Sequence, residues 1–187
     1  NGDFPTHNTP LEYLQTYNTI ICCDGAINHA HKAGIMPNYI IGDLDSINKD
    51  LKEKFSDRII NIKDQCENDL RKAINWLEKQ KFNEVIILGA TGKREDHTIA
   101  NIFTILQYQT SIDLKIITDH GYFSPMKEQA SFTSYKGQQV SIFSLDPTIK
   151  VTTNNLKYQM NKTHINTIYS GTLNESLSDT FSLNISH

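Results

Sequence analysis

Short β-branched runs alternate with amphipathic segments from about residue 19 to residue 119. Five runs have the composition of buried strands: 19–23, 39–41, 58–62, 84–88 and 114–118. Two segments between them place apolar residues at i, i+3, i+4 and i+7, the spacing of one helix face: Leu70, Ala73, Ile74 and Leu77, then Ile99, Ile102, Phe103 and Leu106. This alternation predicts an α/β fold in which helices cover both faces of a parallel, Rossmann-like sheet.

The pattern changes after about Pro125. Helical periodicity gives way to short β-prone pieces at 138–143, 149–152 and 180–185, which turn-forming residues separate. Strands at this spacing predict a small antiparallel β-sandwich. We therefore expect two domains, an α/β domain over 1–125 and a β-sandwich domain over 126–187. The chain starts without methionine on a turn-like segment, which leaves open whether an opening strand precedes it.

Composition narrows the classes of protein to which the chain can belong. It has 187 residues, of which 38% are hydrophobic and 21% charged, as in globular proteins. Its net charge of −3 argues against a general nucleic-acid binder. No stretch approaches the roughly 18 apolar residues that span a bilayer. We expect a soluble cytoplasmic protein that binds neither nucleic acid nor membrane, with its three cysteines reduced.

Four acidic motifs follow predicted strands along the chain. They are Asp24-Gly25-Ala26, the run 42–46, the run 68–72 and the run 92–97. In an open parallel sheet, ligands bind outside the carboxyl ends of the strands, so these motifs should meet at one edge. Carboxylates gathered there from distant parts of the chain predict a cleft for Mg²⁺ and phosphate.

The run 42–46 carries two carboxylates that are two residues apart. In an extended segment Asp43 and Asp45 would point to the same side and share a cation. The alternative is an Asp-rich turn in which Ser46 caps the following helix.

The third motif places Asp69 in the first turn of a helix that Asn68 caps. The helix dipole favours a carboxylate there in any case. Lys72, one turn later, would face the same region and reach a phosphate. A solvated helix face is the alternative explanation for Lys72.

The segment Gly89–Arg94 is rich in glycine but differs from a Walker A loop. Only two residues separate its glycines, and Arg94 stands where that motif has Ser or Thr. A glycine-rich turn before a helix that opens at Asp96 would still present backbone N–H groups and Arg94 to an anion. The alternative is a tight turn that needs flexible residues.

Taken in order, these segments resemble the thiamin pyrophosphokinase family. The resemblance rests on Asp24-Gly25-Ala26 with Asn28, the run 34–46, Asp64-Gln65 with Asn68-Asp69 and Lys72, the run 89–97, and Leu156-Lys157-Tyr158. It implies an α/β nucleotide domain followed by a β-sandwich, and a homodimer that holds thiamin between subunits. It also implies transfer of a pyrophosphoryl group from ATP to the hydroxyl of thiamin, which gives thiamin diphosphate and AMP.

The resemblance also implies a role for each motif residue. Asp43, Asp45 and Asp69 would hold Mg²⁺, Gln65 and Lys72 would contact the nucleotide, Arg94 would bind the phosphates, Asp96 would position the reacting groups, Asp24 would lie at the edge of the cleft, and Asn174 would bind thiamin. Phosphoryl transfer needs alignment and charge shielding, and these residue types supply both without a covalent intermediate.

One departure concerns the thiamin pocket. The family typically shows Ser-Asn-Glu where this chain has Leu173-Asn174-Glu175, and leucine cannot replace a hydroxyl's hydrogen bond. Either the correspondence is displaced in this loop or the pocket is altered. Two other functions therefore stay open: a Mg²⁺-dependent nucleotide hydrolase and a non-catalytic nucleotide sensor.

Overall fold

The computed structural model describes residues 2–108 and 110–186. The chain divides into two compact units with the boundary between Pro125 and Met126. Each unit has its own hydrophobic core.

The first unit alternates helices and strands. Its elements are α1 (Asn8–Thr16), β1 (Ile21–Cys23), α2 (Ala26–Lys32), β2 (Tyr39–Gly42), α3 (Lys49–Lys54), a 3₁₀ turn (Ser56–Arg58), β3 (Ile59–Asn61), α4 (Asp69–Lys79), β4 (Glu84–Ile87), α5 (Glu95–Gln107), β5 (Asp113–Ile117) and β6 (Tyr122–Phe123). Each of the five predicted strands is present, and most are shorter than the apolar run that predicted them.

The strands of the first unit form two sheets rather than one. Strands β1, β2 and β3 pair in parallel in that order. Strand β4 pairs in parallel with β5, and β5 pairs antiparallel with β6. The parallel α/β class is therefore confirmed, whereas the single sheet expected from the sequence is divided between β1 and β4.

Adjacent residues of β1 pack into different cores. Ile21 packs against a cluster built from α4, α5, β4 and β5. Cys22 belongs to a second cluster with Ile27 of α2 and Ile40 of β2. Since successive side chains of a strand point to opposite faces, both faces of this sheet are covered, as the alternating pattern predicts. Ile40 is completely buried, which contributes roughly 1.5–3 kcal/mol relative to an exposed side chain.

The apolar periodicity locates the buried face of α4 correctly but not that of α5. In α4, Ala73, Ile74 and Leu77 are buried. In α5, the buried residues are Thr104 and Ile105, and the predicted core residue Ile99 is 58% exposed.

The packing face of α5 contains polar side chains, which explains this error. Asn101 Nδ2 donates to the carbonyl of Ala90 at 2.8 Å, and Thr104 Oγ1 donates to the carbonyl of Ala100 at 2.8 Å. Local hydrogen bonds satisfy both side chains, so they tolerate burial. A pattern that counts only apolar residues cannot identify such a face.

The second unit is all β. Its strands are β7 (Ala130–Thr133), β8 (Gln139–Val140), β9 (Lys150–Asn154), β10 (Thr163–His164), β11 (Asn174–Glu175) and β12 (Thr180–Ile185). One antiparallel sheet has the order β10-β9-β12-β7, and β11 pairs antiparallel with β8. Antiparallel sheets in this half confirm the prediction, although the run 138–143 yields only the short β8.

The core of the second unit lies on one face of its larger sheet. Val151, Phe181 and Leu183 are buried there with Leu156 and Ile165. The rings of Phe132 and Phe181 stack across neighbouring strands with centroids 5.0 Å apart. In the part of the chain that the structure describes, no helix has the length and apolar character that crossing a membrane requires.

Candidate metal and phosphate site

Three carboxylates meet at the carboxyl ends of β1 and β2. Asp24 directly follows β1, and Asp43 and Asp45 follow β2. One oxygen from each lies within 4.8 Å of the others. The amide of Asp24 donates to the carbonyl of Ile41 at 2.8 Å, which holds the end of β1 against β2. The sequence predicted this edge, but it placed Asp24 only at the margin of the group.

Asp24 has the environment of a ligand to a cation. The residue is 5% exposed, and its Oδ1 is buried without a hydrogen-bond partner among the residues that the structure describes. A buried carboxylate oxygen left in this state is unfavourable unless a cation or donor satisfies it. Three close carboxylate oxygens also repel one another, and hard oxygen ligands suit Mg²⁺. The donor set therefore fits a divalent cation.

A left-handed turn brings Asp43 and Asp45 together. Leu44, between them, has φ of 70° and is 4% exposed, with its side chain in the core beside Ile27 and Ile40. A bulky residue in this conformation is strained and persists only where packing holds it. The two carboxylates therefore converge through a buried turn and not through the extended segment that the sequence suggested.

Hydrogen bonds with Asn28 of α2 hold the residues that follow this turn. Asn28 Nδ2 donates to the carbonyl of Ser46 at 2.9 Å, and the amide of Asn48 donates to Asn28 Oδ1 at 3.1 Å. Ser46 Oγ lies 2.7 Å from Asp45 Oδ1 and donates to it, while Asn48 occupies the N-cap position of α3. The alternative in which Ser46 caps this helix is therefore wrong.

Gly42 allows Asp24 and Asp69 to approach β2. A Cβ atom at Gly42 would lie 2.9 Å from Cβ of Asp24 and 3.2 Å from Oδ1 of Asp69. Its φ of 155° also lies in a region that L side chains rarely adopt. Glycine at this position thus permits acidic residues from three separate segments to gather around the end of one strand.

Lys72 lies inside the cluster. Its side chain is 3% exposed, and Nζ lies 3.0 Å from Oδ1 of Asp69 and 3.8 Å from Oδ2 of Asp43. Asn68 caps α4 by accepting a hydrogen bond from the amide of Arg71 at 2.9 Å, as predicted. The alternative of a solvated helix face at Lys72 is wrong. Asp69 itself reaches the cluster through Lys72 and is not one of the three carboxylates within 4.8 Å.

Charge and burial act in opposite directions on these groups. Burial lowers the pKa of Lys72, but Asp69 and Asp43 outweigh it and raise that pKa, so the ammonium group stays charged. Burial raises the pKa of Asp69, which its hydrogen bond to Lys72 opposes. Gln65 Nε2 donates to Asp43 Oδ2 at 3.1 Å, and this bond, followed by the charge of Lys72, lowers the pKa of Asp43.

Arg94 and Asp96 pair with each other. Arg94 Nη2 lies 2.6 Å from Oδ2 of Asp96, and Nε lies 3.1 Å from Oδ1. Their side chains are 70% and 62% exposed. Helix α5 begins at Glu95, one residue before the predicted start at Asp96. The structure therefore places this pair along the same cavity as Asp43 and Lys72, but not in contact with the acidic cluster.

Asn174 has a different setting in the second unit. It is 2% exposed, and its side-chain amide donates to the carbonyl of Tyr158 at 2.7 Å and accepts from the amide of Tyr158 at 3.0 Å. The neighbouring Leu173 is 78% exposed with φ of 58°. Asn174 therefore fixes the backbone of Tyr158, and its contact with thiamin stays a prediction.

Comparison with known proteins identifies the family. Residues 11–117 match the catalytic domain of thiamin pyrophosphokinase, and residues 121–186 match its substrate-binding domain. The chain belongs to the thiamin pyrophosphokinase family. The resemblance in the sequence motifs is thus confirmed, and the acidic cluster, Lys72 and Arg94 all fall within the catalytic-domain match.

Individual members of the family support the assignment. Thiamin pyrophosphokinase 1 of Caenorhabditis elegans is 31% identical over 108 residues, which cover 53% of this chain and 44% of that protein. Thiamine pyrophosphokinase of Bacillus subtilis is 27% identical over 143 residues, which cover 71% of this chain and 66% of that protein. The chain thus spans less than two thirds of the length of either relative.

Solved thiamin pyrophosphokinase structures share the fold. The crystal structure from Bacillus subtilis matches with a TM-score of 0.78 at 20% identity and covers 99% of this chain and 91% of its own. The structure from Candida albicans matches with a TM-score of 0.80 at 17% identity, and the match covers 98% of this chain and 83% of the Candida albicans chain.

Proposed function

We propose that this protein transfers a pyrophosphoryl group from ATP to the hydroxyl of thiamin and releases thiamin diphosphate and AMP. The observation that carries the proposal is the acidic cluster with a buried lysine at one edge of a parallel sheet, in a chain of the thiamin pyrophosphokinase family. Phosphoryl transfer depends mainly on alignment and on shielding of phosphate charge, which such a cluster provides.

Asp43 and Asp45 are the proposed ligands of Mg²⁺. Asp24 is better placed than Asp69 to be the third, because its oxygen lies within 4.8 Å of the other two and Asp69 is bonded to Lys72. Mg²⁺ bound there would shield the phosphate charge of ATP. Asp69 retains a proposed role close to the metal, since it holds Lys72 in place.

Gln65 and Lys72 are the proposed contacts to the nucleotide. Gln65 donates to Asp43 of the cluster and Lys72 donates to Asp69 beside it, so both donors are already directed toward the cleft. The charged ammonium of Lys72 would attract the phosphates, and its burial on α4 fixes its position before ATP binds. A lysine that is fixed in advance can align the phosphates of ATP for reaction without first losing side-chain mobility.

Arg94 and Asp96 are proposed to act after they separate. An exposed ion pair contributes only about 0–1 kcal/mol, so a phosphate could displace Asp96 from Arg94 with little loss. Asp96 would then be free to position the thiamin hydroxyl.

Thiamin binding and a homodimer are proposed for the second unit. Residues 121–186 match the substrate-binding domain of the family. Tyr135, Tyr158 and Tyr169 are 65%, 62% and 73% exposed, so their rings are accessible to a ligand or a partner. Analytical ultracentrifugation over a range of concentrations would test the dimer, and a species that stays monomeric at micromolar concentration would contradict it.

Product analysis tests the proposed function directly. Purified protein is mixed with ATP, Mg²⁺ and thiamin, and the products are separated and identified. AMP and thiamin diphosphate in equal amounts are expected. AMP or ADP formed without thiamin would support a nucleotide hydrolase, and ATP binding without turnover would support a sensor. Both of those results contradict the kinase.

A further inference from the structure

The segment between β3 and α4 carries Gln65 but has no regular secondary structure. Residues 63–67 lie in neither a helix nor a strand. Gln65 Nε2 donates to Asp43 Oδ2 at 3.1 Å, and the amide of Cys66 donates to Asp64 Oδ1 at 2.8 Å within the segment. In the described part of the chain, the backbone groups of 63–67 make no hydrogen bond to another element. Side chains must therefore fix the position of this segment.

Glu67 attaches the segment to α4. Its Oε2 accepts from Asn75 Nδ2 at 2.6 Å, and its Oε1 lies 3.2 Å from Nη2 of Arg71. Both partners belong to α4, the helix that also carries Lys72. The side chain of Glu67 is only 26% exposed, which limits screening of these contacts by solvent. Each carboxylate oxygen thus has its own donor, and the carboxylate cannot rotate without loss of a contact.

Tyr108 fixes the orientation of Asn75. Its hydroxyl donates to Asn75 Oδ1, so the amide nitrogen of Asn75 points toward Glu67. A donor at the oxygen and an acceptor at the nitrogen select one of the two orientations of a side-chain amide. Burial, followed by the charges of Glu78 and Glu67, raises the pKa of Tyr108, so its hydroxyl keeps the proton that it donates.

The contacts of these side chains form a closed ring. The guanidinium of Arg71 lies over the aromatic ring of Tyr108, with 5.7 Å between Cζ and the ring centroid. Arg71 in turn pairs with Glu67, which completes the ring. We call its four members the Glu67 network: Glu67, Arg71, Asn75 and Tyr108. Loss of one member of such a network also weakens the contacts among the others.

The Glu67 network connects three elements of the proposed site. Glu67 lies two residues after Gln65, and Asn75 lies on α4. Tyr108 is the C-cap residue of α5, which begins directly after Arg94. Since both oxygens of Glu67 are already bonded to α4, its side chain is suited to hold Gln65 in place and not to bind a ligand itself.

We propose that Glu67 is a positioning residue for nucleotide binding, and that the Glu67 network holds Gln65 against Asp43 before ATP arrives. The proposal rests on the proposed function, in which Gln65 contacts the nucleotide. A mobile glutamine would lose conformational freedom when ATP binds, whereas a glutamine that is already held has lost it on folding. Glu67 thus acts through Gln65 and makes no contact with ATP.

Nitrogen-15 NMR of the ligand-free chain tests this positioning directly. Glu67→Ala should move the side-chain amide signals of Gln65 to the positions of a solvent-exposed glutamine, because the segment loses its attachment to α4. Glu53→Ala, at an exposed glutamate of α3, is the matched control and should leave these signals unchanged. Unchanged Gln65 signals in Glu67→Ala would overturn the proposal, whether or not the protein binds ATP.

A reversed pair separates the hydrogen bond from general effects on folding. Asn75→Asp places a second carboxylate against Glu67 and should displace the Gln65 signals. Addition of Glu67→Gln restores one donor and one acceptor between the two positions, and an acceptor for Tyr108 is kept. The parent signals of Gln65 should therefore return in the double variant. If they stay displaced as in Asn75→Asp alone, the bond between these positions does not hold the segment, and the proposal is wrong.

Calorimetry with MgATP measures the consequence for the proposed site. Glu67→Ala should weaken the binding of MgATP roughly two- to tenfold, as when one hydrogen bond is lost. In a chain that already carries Gln65→Ala, Glu67→Ala should have no further effect. Additive effects of the two substitutions would show that Glu67 does not act through Gln65 and would contradict the proposal. Failure of the parent chain to bind MgATP would instead contradict the proposed function, while the NMR comparison still decides the role of Glu67.

Discussion

The acidic cluster and the Gly89–Asp96 segment both follow strands of the first unit, but they are held in different ways. Asp24 and Lys72 are buried, and Lys72 is bonded to carboxylates from two different segments. Arg94 and Asp96 are exposed and bonded to each other. The first region is fixed before any ligand binds, whereas the second can rearrange. We infer that the cluster provides the preorganised part of the site and that Arg94 is recruited by phosphate.

Removal of a carboxylate from the fixed region should have the largest effect. Asp43→Asn keeps the size of the side chain but removes a hard anionic ligand and the charge of the oxygen that accepts from Gln65. We expect turnover of ATP and thiamin to fall roughly a hundred- to a thousandfold, or about 3–4 kcal/mol, as when one preorganised electrostatic contact is lost. Asp50→Asn, in the first turn of α3, is the matched control and should keep normal turnover. Similar turnover in both variants would show that Asp43 is not part of the site.

Replacement of the buried lysine should affect stability. Lys72→Met leaves Asp69 without its ammonium partner, and we expect a loss of about 1–3 kcal/mol in the free energy of unfolding. Arg71→Met, on the same helix, removes a more exposed pair with Glu67, which precedes the helix, and should change the free energy of unfolding by at most about 1 kcal/mol. Urea denaturation compares the two variants. If they lose equal stability, the contrast between buried and exposed charges does not hold.

Arg94 should contribute to nucleotide binding and not to the stability of the fold. We expect Arg94→Ala to weaken the binding of MgATP roughly tenfold and the binding of AMP by less, because the lost charge would face the terminal phosphates. Its stability should stay within about 0.5 kcal/mol of the parent, as for other exposed pairs. Lys79→Ala, on the exposed end of α4, is the control. Calorimetry that shows equal weakening of both nucleotides would place Arg94 away from the phosphates.

Thiol reactivity tests the same difference between buried and exposed parts of the site, and its expected effect is smaller. Cys22 and Cys23 lead into Asp24, and burial raises their pKa values to about 12 and about 11. Cys66, next to Gln65, is exposed. A thiol reacts as thiolate, so at pH 8 only about one thousandth of Cys23 is reactive, and this fraction grows as pH approaches 11. Iodoacetamide at pH 8 should therefore label Cys66 first by mass spectrometry, and equal labelling of all three would show that this side of the site is open.

Local chemistry made much of the site predictable from the sequence. Asn68 caps α4 and Asp69 follows it, because capping depends on a few neighbouring residues. The carboxylates after β1 and β2 meet, because parallel strands end at the same edge. Each of these features is decided within a short segment or by the sheet topology alone.

Features that depend on packing between distant segments were not predictable. The place of Asp24 in the three-carboxylate group requires Gly42 beside it, and the convergence of Asp43 and Asp45 requires a buried left-handed Leu44. The burial of Thr104 in α5 is decided by hydrogen bonds that apolar periodicity does not register. The hydrogen bonds of Asn174 to Tyr158 likewise join residues that are 16 positions apart in the sequence.

A ligand-exchange measurement at Asp45 tests the central claim, that the acidic cluster binds the catalytic metal. A thiolate favours softer metals than Mg²⁺, so Asp45→Cys should lose most turnover with Mg²⁺ and regain a substantial part with Cd²⁺. Asp50→Cys should keep its Mg²⁺ activity and gain nothing specific from Cd²⁺. If Asp45→Cys retained full Mg²⁺ turnover, or if Cd²⁺ stimulated both variants alike, the cluster would not be the metal site.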